Sequence, residues 1–101
     1  MIIDTITILQ DEEKSVKYDL YDIDGHAIDL TGASLSVDTT CLRDADNLNV
    51  SIYGLDDGFS LLLSVKSGAV FNIPCWLTIK QDGTKVLARV CVFAIKKADL
   101  R

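Results

Sequence analysis

Apolar and polar residues alternate with a period of two along most of this chain, and no stretch keeps the roughly 3.6-residue period of an amphipathic helix. Ile2, Ile6 and Ile8 share one parity and Thr5 and Thr7 the other, which predicts a first strand with Asp4 as an intruder on its apolar side. Asp11, Glu12, Glu13 and Lys14 make a charged connection of hairpin length, and the second strand is expected over residues 15–22. There Val16, Tyr18 and Leu20 alternate with Lys17, Asp19 and Tyr21. Ala33, Leu35 and Val37 against Ser34, Ser36 and Asp38 predict a strand over 33–40 with one solvated side. Leu48, Val50 and Ile52 form the next, and Phe59, Leu61, Leu63 and Val65 the one after, where Leu62 on the opposite parity implies cover on both faces or a partner.

The last third has the clearest pattern. Cys75, Leu77 and Ile79 alternate with Trp76, Thr78 and Lys80 behind the only proline, Pro74, which should mark a strand start or a bulge. A tight turn at Gln81, Asp82, Gly83 and Thr84 then sends the chain back over residues 85–95. That final strand carries Val86, Ala88, Val90 and Val92 on one parity and Leu87, Cys91, Phe93 and Ile95 on the other, so it is central or borders an interface.

Between the strands lie turn formers. Residues 41–47 break the period and read as an exposed loop holding Asp44 and Asp46, Asp56-Asp57-Gly58 is a strong turn, and residues 96–101 form a short charged tail. Residues 17–35 combine strand alternation with two turns, at Asp24-Gly25 and Thr31-Gly32, and with a short strand over 26–30, the grammar of a β-meander. Seven or eight strands at such intervals predict an all-β fold, an antiparallel immunoglobulin-like β-sandwich, with a small barrel as the alternative. With 101 residues the chain has room for one domain, residues 1–101.

Composition narrows the function classes. Hydrophobic residues make up 49% of the chain and charged residues 25%, which fits a folded domain rather than a disordered one. A net charge of -5 with scattered Lys and Arg argues against nucleic acid and against an anionic membrane as partners. No apolar run has the length of a membrane span, and nothing near Met1 has the form of a secretory signal. Cys41, Cys75 and Cys91 are odd in number and lack metal-ligand spacing, so reduced thiols are expected, with Cys75 and Cys91 buried in a protein kept in a reducing cytosol.

Candidate chemistry is sparse. Asp22, Asp24 and Asp29 around Gly25 invite a calcium reading, yet an EF-hand loop needs further ligands at fixed offsets and a closing bidentate Glu, which this segment lacks. His26 is the only histidine, so any Ser-His or Cys-His pair would have to use it from just behind a turn. We therefore expect no catalytic residue, no metal site, no cofactor and no enzymatic activity. Trp76 on the polar parity of its strand, Tyr21 and Tyr53 beside turns, and Leu62 are the interface candidates.

The order strand, Asp22-Ile23-Asp24-Gly25 turn, short strand, Asp29-Leu30-Thr31-Gly32-Ala33, strand resembles the N-terminal immunoglobulin-like domain of phage baseplate upper proteins and related phage tail and fibre proteins. The matching positions are Asp22, Asp24, Gly25, Ile28, Asp29, Leu30, Thr31, Gly32 and Ala33, with an echo at Asp82-Gly83. They make an architectural motif rather than a catalytic one, in which Asp29 and Thr31 can bond turn backbone, Leu30 can plug the core and Gly32 can take a backbone conformation closed to other residues.

The resemblance implies a virion structural module, made in the host cytoplasm, that joins tail, baseplate or fibre components and forms homo-oligomers, often trimers. Long family members continue into helical and receptor-binding parts, so this chain is expected to be a fragment or a stand-alone adaptor. Two other readings compete, a carbohydrate-binding module stacking sugars on Trp76, Tyr21 and Tyr53, and a host protein-interaction domain of the same fold.

Overall fold

The computed structural model describes residues 1–41, 47–67 and 71–96, which form seven strands and no helix. In chain order these are β1 (Ile2–Leu9), β2 (Glu13–Asp19), β3 (Leu35–Cys41), β4 (Leu48–Leu55), β5 (Gly58–Val65), β6 (Pro74–Gln81) and β7 (Lys85–Ile95). They make two sheets packed as a sandwich, one in the order β1-β7-β6-β3 and the other β2-β5-β4. Neighbours are antiparallel except β1 and β7, which run parallel, a departure from the all-antiparallel expectation. No ladder between described residues joins the two sheets into the alternative barrel.

The core lies where the inner parities of the two sheets meet. Phe59, Leu61 and Leu63 of β5 face Leu77 and Ile79 of β6 and Val90 and Val92 of β7, and all seven are completely buried. Each such side chain contributes about 1.5–3 kcal/mol on leaving water. The alternation of β7 is reset by a bulge opposite Ile79 and Lys80, where Val86 pairs with Lys80 and Ala88 with Ile79. The extra residue, Leu87, joins the core instead of facing outward as its parity predicts.

Two expected local pairings are absent. The 10–12 connection has hairpin length, but β1 and β2 belong to different sheets, so it crosses the sandwich instead of closing a hairpin. Residues 20–34 likewise cross from β2 to β3 between sheets, so 17–35 is no meander. The short strand expected over 26–30 reduces to one isolated bridge between Tyr21 and Ala27. Alternation identifies residues that have two faces; it carries no information about which neighbour supplies the hydrogen bonds.

The crossing segment and the end of β2 each pass close to a glycine of the β4–β5 hairpin. Leu30 is 1% exposed, and its amide donates to the Leu55 carbonyl at 2.8 Å. Its own carbonyl lies so close to Gly54 that a Cβ there would overlap it. Gly58 gives the same clearance to the Tyr18 carbonyl, so the hairpin needs glycine at both positions.

The cysteines correct an expectation. Cys41 and Cys75 are directly opposed in the β3–β6 ladder, Cα atoms 4.2 Å apart, and form a disulfide. Cys75 is thus not a reduced thiol. The 34-residue separation hides a pairing that only the strand register reveals. Cys91 is free and buried, and desolvation raises its thiol pKa. Of the loop expected at 41–47, Cys41 closes β3 and Asn47 is buried, while 42–46, with Asp44 and Asp46, lie outside the described residues. Residues 68–70 and, from the expected tail, 97–101 also lie outside them.

Candidate functional site

The loop from 20 to 34 gathers most of the residues singled out in the sequence. Asp22 organises its tip: one carboxylate oxygen accepts from the amides of Asp24 and His26 at 2.9 Å each, and the Asp22 amide donates to the His26 carbonyl at 2.8 Å. Gly25 completes the turn at φ +82°. A second staple follows, in which the Asp29 carboxylate accepts from the Thr31 amide at 2.9 Å and Gly32 adopts φ +76°. The Thr31 bonds hold the Asp29 carboxyl below its ordinary pKa.

Asp22, Asp24 and His26 have ligand atoms within 4.8 Å of one another, and all three are exposed. Asp22 spends one oxygen on the turn backbone and faces His26 Nδ1 at 3.6 Å with the other, so the grouping has the chemistry of a stapled turn. The tip carries an unusual apolar residue. Ile23 is 102% exposed between two aspartates.

The two outer faces of the sandwich differ in kind. On the three-stranded sheet, Ser15, Lys17, Ser60, Ser64, Asn49 and Ser51 surround Leu62, which is half-buried with Ser15 and Ser51 as its cross-strand neighbours. Lys17 bonds Asp57 at 2.7 Å and lies 3.3 Å from Asp19, and these acids, Asp57 first, raise its pKa. Tyr53 sits on this face, so it and Leu62 are set in polar surroundings.

On the four-stranded sheet the outer rows read Ile3, Arg89, Thr78, Asp38, then Thr5, Cys91, Trp76, Thr40, then Thr7, Phe93, Pro74. Ile3 is 70% exposed, Leu9 45% and Trp76 43%, with Met1 exposed at the start of β1. Ile3, Trp76, Thr78 and Arg89 line a shallow recess of about 370 Å³. Asp38 is paired with Lys80 at 2.7 Å, whereas Arg89 forms no ion pair with any described residue.

The structure therefore separates the four interface candidates. Trp76 lies on the outer face of the four-stranded sheet, Tyr53 and Leu62 on that of the three-stranded sheet, and Tyr21 on the crossing loop. Sequence reasoning overlooked Ile3, Arg89 and Ile23. Ile3 sits off parity among the threonines of β1, and Arg89 interrupts an apolar run, two signals that were present in the pattern.

No family model matches this chain, and no curated protein matches it. Among solved structures the fold is similar to the ZirS C-terminal domain, with a TM-score of 0.57 and 10% sequence identity over 88% of this chain. This chain spans 60% of that one, and at such identity the likeness concerns the fold alone.

Proposed function

We propose that this protein is a non-enzymatic structural module of a phage virion, an immunoglobulin-like sandwich that joins baseplate, tail or fibre components through protein–protein contacts. The observation that carries the contact reading is the asymmetry of the two outer faces. Ile3 and Trp76 stand exposed around one recess on the four-stranded sheet, with Leu9 exposed further along β1, while on the other sheet the exposed Tyr53 is set among serines, an asparagine and a lysine, and exposed apolar side chains brought together mark interaction surfaces. The virion assignment rests on the resemblance of residues 17–35 to phage baseplate upper and tail domains. The order β1-β7-β6-β3 against β2-β5-β4, with the first strand parallel to the last, supports the immunoglobulin-like reading.

A carbohydrate platform built from Trp76, Tyr21 and Tyr53 draws less support, because Trp76 and Tyr53 occupy opposite outer faces and cannot stack one sugar chain together. The non-enzymatic reading is supported by His26, the only histidine, which is exposed at the loop tip with Asp22 beside its ring. Mass spectrometry of purified particles from the source phage tests the proposal: the chain is expected at the stoichiometry of a tail or baseplate component. Its absence from particles, with the protein recovered instead on a host partner, would replace the virion reading by the host-domain one.

A further inference from the structure

Two surface features of this chain each expose apolar side chains and carry opposite charge. The first is the knob at the crossing loop, where Ile23 is 102% exposed and flanked by Asp22 and Asp24. Two hydrogen bonds to the Asp22 carboxylate and the Tyr21–Ala27 bridge pre-set the knob, so presenting it costs little ordering. The second is the recess on the four-stranded sheet, walled by Ile3 and Trp76 and bordered by Arg89, the one charged residue among the described residues of its lining. An arginine without an ion pair among the described residues is notable in a chain of net charge -5. It is what an apolar plug carrying a carboxylate would meet.

We propose that the Ile23 knob of one copy of this chain seats in the Ile3–Trp76–Arg89 recess of a second copy, with the Asp24 carboxylate pairing with Arg89. Ile23 leaves water against Trp76 and Ile3, and Arg89 gains a counter-charge that no described residue of its own chain supplies. Asp24 is the available acid, because its carboxylate holds no hydrogen bond with any described residue whereas Asp22 is engaged in the turn. Knob and recess are different patches of one surface, so the contact is head-to-tail and generates a ring where the rotation closes and an open chain where it does not. A patch this small binds weakly between free copies and becomes strong when many copies are arrayed side by side. The contact extends the structural-module reading but does not depend on where the protein works. Absence from particles would remove the virion assignment and leave the contact standing.

The test is sedimentation velocity on the purified chain from about 10 µM to about 1 mM, a span that covers weak association. The wild type is expected to rise above its 11.1 kDa monomer mass with concentration. Ile23→Ser, Asp24→Arg and Arg89→Glu should each abolish that rise with unchanged circular dichroism, since all three positions are exposed. Mixing Asp24→Arg with Arg89→Glu in equal amounts should restore it, because every contact between unlike copies then pairs opposite charges. A wild type that stays monomeric throughout, association that survives Ile23→Ser, or a mixture that remains monomeric would each overturn the proposal.

Discussion

The phenol of Tyr18 on β2 donates a 2.7 Å hydrogen bond to the carboxylate of Asp4 on β1, so one polar contact ties the two sheets together across the edge of the core. Tyr18 also packs against Phe59 of β5, ring centroids 5.2 Å apart. The intruding aspartate of the first strand is thus the acceptor that a buried tyrosine hydroxyl requires. Removing either partner leaves the other without its bond. Tyr18→Phe and Asp4→Ala are each expected to cost about 1–3 kcal/mol in urea denaturation, and the double variant less than the sum. Additive costs would mean the bond contributes nothing.

The same pair predicts alkaline behaviour. Burial, followed by the Asp4 hydrogen bond and charge, raises the Tyr18 pKa well above its ordinary value of 10.0. A pKa raised by folding gives stability that is complete below the ordinary value and declines as pH climbs above it toward the folded one. Stability should therefore hold to about pH 10 and then fall, with the Tyr18 contribution isolated by subtracting the 295 nm titration of Tyr18→Phe from that of the wild type. A difference curve centred at or below pH 10 would contradict this.

Gly54 and Gly58 clear the way for the Leu30 and Tyr18 carbonyls. Gly54→Ala should cost about 1–3 kcal/mol through overpacking, and Gly58→Ala at least as much because its φ of +149° adds backbone strain. Thermal unfolding of both variants checks this, and wild-type melting of Gly54→Ala would show that Leu30 does not need that close approach.

Alternation in the sequence reveals all seven strands, since each has one side against the core, and it also reveals the β4–β5 and β6–β7 hairpins, whose turns are two or three residues long. Pairing between distant segments leaves no such trace. The parallel β1–β7 ladder, the sheet-to-sheet crossings at 10–12 and 20–34, and the Cys41–Cys75 bond all depend on register across long separations. For the candidate surface, Trp76 stands out because its parity is polar, but Ile3, Arg89 and Ile23 gain meaning only once the sheet places the first two in one row and the turn leaves the third in solvent.

The disulfide closes a span of 34 residues, which in the chain-entropy account stabilises the fold by about 3–4 kcal/mol. Reduction should lower the melting temperature on the order of 15 °C, and intact-mass measurement should show one bond and one free thiol, Cys91. Three free thiols in protein isolated under non-reducing conditions with alkylation would contradict the pairing.

The claim that the four-stranded sheet carries the contact face is tested most directly by hydroxyl-radical footprinting of the free chain and of the same chain in assembled particles. Trp76, Met1 and Ile3 are predicted to lose reactivity on assembly while Tyr53 on the opposite face keeps its own. Protection of Tyr53 with Trp76 unchanged would place the interface on the polar sheet and contradict the account.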